Sequence, residues 1–482
     1  MHVNTPWDMK VNRRILEMEY AVRGPIPQRA AELKQQGRRI IPCNLGNPQA
    51  LGQQPISFYR EVLSLVEHPV RIERERRLKT LFDRHALDGL EKDDFHSDYV
   101  LDLSERYLER METGMGAYSD SSGPQFIREA VAGYIDRRDG ADDVRLPRSD
   151  PGQVFITNGA SEAVRYVIDL LIDDDSDGIM IPIPQYPLYS AAIRRCGGAQ
   201  VDYYLDEKSG WAMDRDLLES ALEGARERGV AVKAIVVINP GNPTGAVLDE
   251  ETVGEVIAFA GENGLAIIAD EVYQENVYDA DAEFVSFARV LGQSDVPLFS
   301  VHSTSKGFYG ECGHRGGYLE IRNAPRVGST GLSFTDLVLK QASVNICSNT
   351  VGQLMMYLLV SPPPENAEPY RRFTIERRKI LEDLHGKAAM IRAGFDHMDG
   401  VSCFGRTGAM YLFPRLDRLP DGKNDFDYCM GLLEETGLVT VNGAGFGQMP
   451  GTSHLRIAFL PPRDVIEEVL PMWIEFHNAY VN

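Results

Sequence analysis

Short apolar segments alternate with helical segments through the middle of the chain, and this alternation limits the folds that the sequence can adopt. The apolar segments cover 154–157, 178–182, 234–238, 265–269 and 296–302, and helical segments such as 160–172 and 252–263 lie between them. Apolar strands joined by helices indicate a mostly parallel sheet that is covered on both faces. The sequence therefore predicts an α/β fold in which helices flank a mostly parallel central sheet.

A different pattern follows this region. A proline-rich break at 361–364 ends the alternation, and a long, charged helical stretch covers 366–398. Beyond it, strand-like segments lie at 409–416, 439–441 and 454–460, with a helical segment between them. This part of the sequence predicts a smaller α+β unit.

The amino end has the pattern of an arm and not of a domain. Two amphipathic stretches, 10–21 and 27–36, precede a short strand-like segment at 39–42. A chain of 482 residues is long enough for two domains. We therefore predict an arm at 1–45, a small discontinuous domain at 46–95 and 366–482, and a large domain at 96–365.

Charge and cysteine content exclude several classes of function. The net charge of −21 argues against a nucleic-acid partner, because phosphate backbones require a basic surface. The apolar stretches fall short of the ~20 residues that span a bilayer, and the amino end shows no secretory signal, so no membrane partner is expected. Six scattered cysteines without a Cys-x-x-Cys pair favour reduced thiols over disulfides or a metal site. We expect a cytoplasmic protein with no bound metal.

Polar side chains follow several of the predicted strands, where ligands of parallel sheets bind. Small residues at 158–161 open a helix, so free N–H groups there could hold an anion, although an ordinary glycine turn has the same pattern. Asn242 lies in the turn-rich loop 239–245, and its amide could bind a ring hydroxyl. Asp270 ends a buried strand, and a buried carboxylate is unfavourable without a cationic partner.

The run 303–307, Ser-Thr-Ser-Lys-Gly, places Lys306 among hydroxyl groups and a glycine just after another strand. An arginine, Arg315, follows nine positions later. These residue types suit a bound phosphate next to an amine nucleophile. Considered alone, Lys306 could equally be a solvated surface charge.

Three motifs together resemble a known family. They are Asn-Pro-Gly-Asn-Pro-Thr-Gly at 239–245, Ala-Asp-Glu-Val-Tyr at 269–273 and Ser-Thr-Ser-Lys-Gly at 303–307. In this order they resemble the class I aminotransferases, which are pyridoxal-phosphate enzymes of fold type I. The resemblance extends from about residue 40 to the end of the chain.

The resemblance implies pyridoxal 5′-phosphate as cofactor and a role for each matching residue. Lys306 would form the Schiff base and move the proton, Asp270 would pair with the ring nitrogen, and Tyr273 would complete the catalytic set. Asn242 and Tyr273 would bind the ring oxygen, and Tyr186 would stack on the ring. The phosphate would be held by Ala160, Ser161, Ser303, Ser305 and Arg315.

The resemblance also implies how the substrates and a second subunit would contribute. Arg456 would bind the substrate carboxylate, with Gly46 and Asn242 beside it. Tyr118 would reach the phosphate site of a neighbouring subunit, so that the active unit would be a homodimer. The partners expected are therefore amino acids, 2-oxo acids and a second copy of the chain.

Segments 44–53, 118–123 and 310–318 are similar to the alanine aminotransferase branch of the family. The reaction implied moves the amino group of L-alanine to 2-oxoglutarate, giving pyruvate and L-glutamate through a pyridoxamine-phosphate intermediate in a ping-pong cycle. Other class I aminotransferases, for glyoxylate, branched or aromatic amino acids, are alternatives, as is a lyase similar to the aminocyclopropane-carboxylate synthases. A binding regulator is disfavoured, since the chain has no additional basic domain.

Overall fold

The computed structural model describes residues 11–16, 18, 24–85, 89–141 and 146–482. The predicted arm lies partly outside these ranges, and so does part of the amphipathic stretch at 10–21. Within that stretch the structure has a short helix, α1 (Arg13–Leu16). The second amphipathic stretch forms α2 (Pro25–Gln35), and β1 (Ile41–Pro42) follows it, as predicted.

The remaining α-helices and strands of the described residues follow in chain order. They are α3 (Ser57–Val66), α4 (Val70–Asp83), α5 (Asp98–Met111), α6 (Gln125–Asp139), β2 (Val154–Thr157), α7 (Ala160–Leu171), β3 (Asp177–Ile183), α8 (Leu188–Cys196), β4 (Ala199–Tyr204), α9 (Arg215–Glu227), β5 (Ala231–Ile238), α10 (Glu250–Asn263), β6 (Ala266–Asp270), α11 (Phe287–Leu291), β7 (Leu298–Ser303), β8 (Gly317–Arg322), α12 (Phe334–Val344), α13 (Thr350–Val360), α14 (Tyr370–Phe395), β9 (Val401–Ser402), β10 (Tyr411–Leu412), β11 (Arg415–Leu416), α15 (Asp425–Thr436), β12 (Leu438–Val439), β13 (Val441–Asn442), β14 (Leu455–Ala458) and α16 (Arg463–Val481).

The central sheet has seven strands in the order β2-β8-β7-β6-β5-β3-β4. The pairs from β7 through β6, β5 and β3 to β4 are parallel, whereas β8 is antiparallel to both of its neighbours, β2 and β7. Apolar side chains cover both faces of the sheet, in one cluster with α7, α8 and α12 and another with α9, α10 and α11. The predicted mostly parallel α/β fold is confirmed.

Two strands of this sheet, β4 and β8, were not among the predicted strands. β4 alternates exposed and buried residues as an edge strand does, so it lacks a continuous apolar run. β8 follows the arginine-containing loop directly and begins with a glycine. The five predicted strands are all present, with bounds that differ by a few residues.

A smaller group of strands lies near the carboxyl end. β14 pairs in antiparallel fashion with both β10 and β13, and β1 pairs in parallel with β12. One apolar cluster joins β1, β10, β12 and β14 to α2, α14, α15 and α16. The predicted segment 409–416 forms two short strands, β10 and β11, because Phe413 and Pro414 separate them.

The predicted division of the chain into domains stays a prediction, because apolar clusters alone do not set a domain boundary. α3 and α4 share a cluster with α5, α6 and α13, whereas residues of α2 and β1 share one with α14, α15 and α16.

In the described part of the chain, no helix combines the length and apolar character needed to cross a membrane. All six cysteines are free thiols.

Candidate active site

The carboxyl ends of β2, β5, β6 and β7 meet at one edge of the central sheet. These strands share a direction, because β2 and β7 both run antiparallel to β8 between them and β5 and β6 run parallel to β7. In the register of the sheet, Asp270 lies opposite Ile238 on one side and Val301 on the other. Side chains that follow these strand ends therefore converge, as the sequence predicted.

A cavity of about 220 Å³ opens at this edge. Every predicted site residue except Tyr118 lines it, together with five residues that were not predicted. The predicted residues are Gly46, Ala160, Ser161, Tyr186, Asn242, Asp270, Tyr273, Ser303, Ser305, Lys306, Arg315 and Arg456, and the others are Leu188, Ile238, Val272, Cys312 and Tyr411. Tyr118 is not in the cavity, and 74% of it is exposed.

Lys306 lies in the turn after β7 and is half-buried. Its Nζ donates a hydrogen bond to the carbonyl oxygen of Gly46 at 2.8 Å and lies 5.7 Å from the centre of the Tyr273 ring. A hydrogen bond holds the turn in place: the side-chain oxygen of Asn276 accepts the backbone N–H of Gly307 at 2.9 Å. The amine therefore extends into the cavity from a rigid turn.

Asp270 is a buried carboxylate at the end of β6. It accepts hydrogen bonds from the Tyr189 hydroxyl at 2.7 Å and from the backbone N–H of Val272 at 3.4 Å. Burial raises the pKa of Asp270 to about 6, and these hydrogen bonds and the charge of Lys306 offset only part of that effect. A cation close to Asp270 would lower this pKa again, so the site suits a cationic ring atom.

An anion cradle lies at the start of α7. Gly159 precedes the helix with φ of 80°, and it provides no side-chain cap, so N–H groups of the first turn point into the cavity. The guanidinium of Arg315 donates to the Asn158 carbonyl at 3.1 Å and to the Ser161 hydroxyl at 3.3 Å. At this φ a residue with a side chain would be strained, and its Cβ would lie 2.5 Å from Arg315 Nη2, so position 159 favours glycine.

Ser303 and Ser305 complete the cradle. Both are buried, and the Ser303 hydroxyl accepts the backbone N–H of Ser305 at 3.1 Å. Hydroxyl groups, helix N–H groups and a guanidinium together match the oxygens of a phosphate.

Arg456 lies in β14, the central strand of the small three-stranded group, and is only 1% exposed. It donates to the Asn44 carbonyl at 2.7 Å and to the side-chain oxygen of Asn242 at 3.2 Å. The rings of Tyr411 and Phe446 lie 4.2 and 4.6 Å from its guanidinium carbon. Among the described residues its buried Nε has no hydrogen-bond partner, so one donor of the guanidinium is unsatisfied in the protein alone.

Asn242 and Tyr273 lie side by side at the centre of the cavity. The Asn242 amide donates to the Tyr273 hydroxyl at 3.3 Å. Burial raises the pKa of Tyr273 well above its ordinary value, so this phenol stays protonated and can donate a hydrogen bond to a ligand oxygen. The half-buried Tyr186 lies in the wall of the same cavity.

Sequence reasoning missed two tyrosines. Tyr189 lies in the first turn of α8, three residues after Tyr186, and its hydroxyl donates to Asp270. The sequence had instead predicted a cationic partner for Asp270. Tyr411 lies within the predicted strand at 409–416, where an aromatic residue is indistinguishable from a core residue. Only the three-dimensional packing of β10 beside β14 places it against Arg456.

The residues of the cavity fit pyridoxal phosphate. The cradle provides donors for a phosphate, Asp270 provides a buried carboxylate whose raised pKa a ring cation would lower, and Lys306 provides an amine between them. The predicted roles of the individual residues stay predictions, which the experiments below test.

Comparisons with known proteins agree with this geometry. Residues 95–470 match the family model described as aminotransferase class I and II. Alanine aminotransferase 2 of Panicum miliaceum is 42% identical, with 98% of this chain and 97% of that protein covered. Glutamate–glyoxylate aminotransferase 1 of Arabidopsis thaliana is 39% identical, with 98% and 95% covered.

The fold also matches solved structures. An alanine aminotransferase from Pyrococcus furiosus superimposes with a TM-score of 0.76 at 25% identity, covering 98% of this chain and 100% of that one. The matches with the family model and with the two relatives extend over most of the chain. The cavity is lined by all of the site residues that the resemblance implied except Tyr118. The chain therefore belongs to the class I and II aminotransferases.

Proposed function

We propose that this protein is a pyridoxal-phosphate-dependent transaminase that moves the amino group of L-alanine to 2-oxoglutarate, giving pyruvate and L-glutamate. One structural observation carries the proposal: the buried guanidinium of Arg456, whose Nε has no hydrogen-bond partner among the described residues, lines the same cavity as the Lys306 amine. A carboxylate binder next to an amine suits α-amino acids and 2-oxo acids. The similarity to alanine aminotransferase 2 of Panicum miliaceum over nearly the full chain supports alanine as donor.

The residues divide the work of the reaction among them. Pyridoxal phosphate, when bound, supplies an aldehyde that condenses with amines and a ring that accepts electrons. Lys306 would bind the aldehyde, and its amine would carry the proton between the substrate's α carbon and the cofactor. Asp270 would pair with the ring nitrogen, and Tyr273 and Asn242 would donate hydrogen bonds to the ring oxygen.

Arg456 positions the substrate for this proton transfer. Two contacts, with Asn44 and Asn242, and the stacked rings of Tyr411 and Phe446 fix the guanidinium plane before the substrate arrives. A carboxylate that binds Arg456 therefore meets a guanidinium whose orientation is already fixed, which reduces the entropy lost on binding.

Glutamate formation from 2-oxoglutarate with a panel of amino acids, together with pyruvate formation from alanine, tests the proposal directly. We expect alanine to be the best donor, and we expect Lys306→Ala to abolish both turnover and the borohydride-stable adduct of the cofactor. Lys340→Ala, which removes an exposed lysine of α12, is the matched control and should retain both. Glycine formation from glutamate and glyoxylate that is faster than glutamate formation from alanine and 2-oxoglutarate would replace the alanine assignment with that of the other relative.

Replacing Arg456 should weaken amino-acid binding. We expect Arg456→Ala to raise KM for alanine by roughly 30-fold or more, since truncating one member of a buried charge pair costs about 2–5 kcal/mol. Cofactor content, read from the visible absorbance, should be nearly unchanged because Arg456 is not part of the anion cradle. Arg463→Ala, which removes a half-exposed arginine paired with Glu467, serves as control. Loss of the cofactor in Arg456→Ala would contradict this role.

Asp270 should destabilise the cofactor-free protein at high pH. The folded-state pKa of about 6 exceeds the ordinary value of 3.8, so the folded chain loses stability as pH rises from about 4 to 6. Above pH 6 the full penalty is roughly 3 kcal/mol. Cofactor-free Asp270→Asn should therefore unfold at a higher temperature than wild type at pH 8, and the difference should shrink near pH 4.5.

With cofactor bound, the same substitution should lower the rate of turnover by about 100-fold or more, because the ring nitrogen loses its charged partner. Thermal unfolding at both pH values and initial rates at pH 8 check the two outcomes. Equal melting temperatures at pH 8 would show that the carboxylate carries no such penalty.

We also propose that the active unit is a homodimer in which Tyr118 contributes to the partner's phosphate site. Tyr118 is a large aromatic side chain that is 74% exposed, and Val344 and Ile346 are exposed at 83% and 46%. The segments are connected, since the Ser121 hydroxyl donates to the Ile346 carbonyl at 2.6 Å. A second copy of the chain would cover these apolar side chains. Cytoplasmic location remains a proposal that rests on the free thiols.

Hybrid dimers test the contribution of Tyr118. Lys306→Ala and Tyr118→Ala subunits, co-expressed with different tags, should form hybrids with one intact site, which pairs Lys306 of one subunit with Tyr118 of the other. We expect such hybrids to be several-fold more active per site than either parent dimer. Activity no higher than the mean of the parents would place Tyr118 in its own subunit's site or outside any site.

A further inference from the structure

Tyr411 lies near two groups on which the proposed reaction depends, the Lys306 amine and the Arg456 guanidinium. It lies in β10, is buried, and lines the same cavity as Lys306 and Arg456. None of the roles described above requires its hydroxyl. A buried phenol inside a reaction cavity therefore needs an explanation of its own.

The hydroxyl of Tyr411 and the amine of Lys306 both lie close to Gly46. A Cβ placed on Gly46 would overlap the Tyr411 hydroxyl and would lie 2.9 Å from Lys306 Nζ, so the two groups flank one point. The Gly46 carbonyl already accepts one hydrogen bond from that amine at 2.8 Å. Glycine at position 46 thus permits the hydroxyl and the amine to approach each other.

The ring of Tyr411 lies on the guanidinium of Arg456. The guanidinium carbon is 4.2 Å from the Tyr411 ring centre and 4.6 Å from that of Phe446. A buried cation gains from contact with aromatic faces, and two rings restrict its tilt. One residue therefore links the carboxylate-binding arginine to the lysine.

The charges nearby suit an oxygen that accepts hydrogen bonds. Burial alone would raise the pKa of Tyr411, but the positive charges of Lys306 and Arg456 and the adjacent Tyr273 hydroxyl outweigh burial and lower it. These surroundings therefore favour a Tyr411 oxygen that accepts a hydrogen bond from the Lys306 amine.

We propose that Tyr411 is a positioning residue for the transamination: its ring fixes the plane of the Arg456 guanidinium, and its hydroxyl oxygen fixes the direction of the Lys306 amine while that amine carries the substrate proton. This inference rests on the proposed function. It assigns separate effects to the two parts of one side chain, so that substitutions can distinguish them.

Tyr411→Phe removes the hydroxyl and keeps the ring. We expect kcat with alanine to fall by about 10-fold while KM changes little, because orientation of the lysine affects the proton transfer and not binding. The kinetic isotope effect on kcat, measured with alanine deuterated at the α carbon, should increase, since proton transfer becomes slower relative to the other steps. Tyr411→Leu should in addition raise KM by about 10-fold, because the guanidinium loses its ring.

A second variant reaches the same hydroxyl from the other side. Gly46→Ala adds a methyl group that must displace the Tyr411 hydroxyl, so it should show the lower kcat and the larger isotope effect of Tyr411→Phe. Tyr203→Phe is the matched control. It removes the hydroxyl of another buried tyrosine, which donates to the Val236 carbonyl at 2.7 Å behind the sheet edge, and the isotope effect should not change.

The outcomes separate the inference from the proposed function. If wild type makes no pyruvate from alanine, the proposed function fails, and the comparison uses the amino donor that wild type prefers, deuterated at its α carbon. If wild type turns over but Tyr411→Phe has the wild-type kcat and isotope effect, the inference alone is overturned. A lower kcat with an unchanged isotope effect and reduced cofactor content would also overturn it, as a purely structural effect.

Discussion

The register of the parallel strands β5, β6 and β7 is the constraint on which the site depends. It places Asp270 opposite Ile238 and Val301, at the edge where Lys306 emerges after β7. Successive side chains of a strand point to opposite faces, so a shift of one residue would turn Asp270 away from the cavity. Apolar residues on both faces of these strands fix the register, because any slip would expose part of two cores. The packing of the core thus determines where Asp270 and Lys306 lie in the cavity.

Two charged groups of this cavity are incompletely satisfied in the protein alone. The carboxylate of Asp270 has a raised pKa, and Arg456 leaves a buried Nε without a partner among the described residues. Both features destabilise the chain by itself. Both would be relieved when a cationic ring and a carboxylate bind. The protein therefore keeps two unfavourable groups of opposite charge in place, and its ligands complete them.

The strands and their polar ends could be predicted because they depend on local patterns. A continuous apolar run followed by Asp270 or by the Lys306 turn is visible within a few residues, and the three motifs identify the family. Tyr189 and Tyr411 could not be predicted in this way. Their roles depend on which helix or strand packs beside Asp270 and Arg456, and no local pattern separates them from core aromatic residues. Tyr118 differs again, since its predicted role depends on a second subunit.

The small strand group reaches Lys306 through the segment at 41–46. β1 pairs with β12, the backbone N–H of Ala458 donates to the Cys43 carbonyl at 2.7 Å, and Arg456 binds the Asn44 carbonyl. Two residues later, the Gly46 carbonyl accepts the hydrogen bond of Lys306. A shift of β14 would therefore move Arg456 and the hydrogen-bond acceptor of Lys306 together. The positions of Arg456 and Lys306 are thus coupled through the backbone of one short segment, and this is why residues 44–46 belong to the site although they lie far from its other members in sequence.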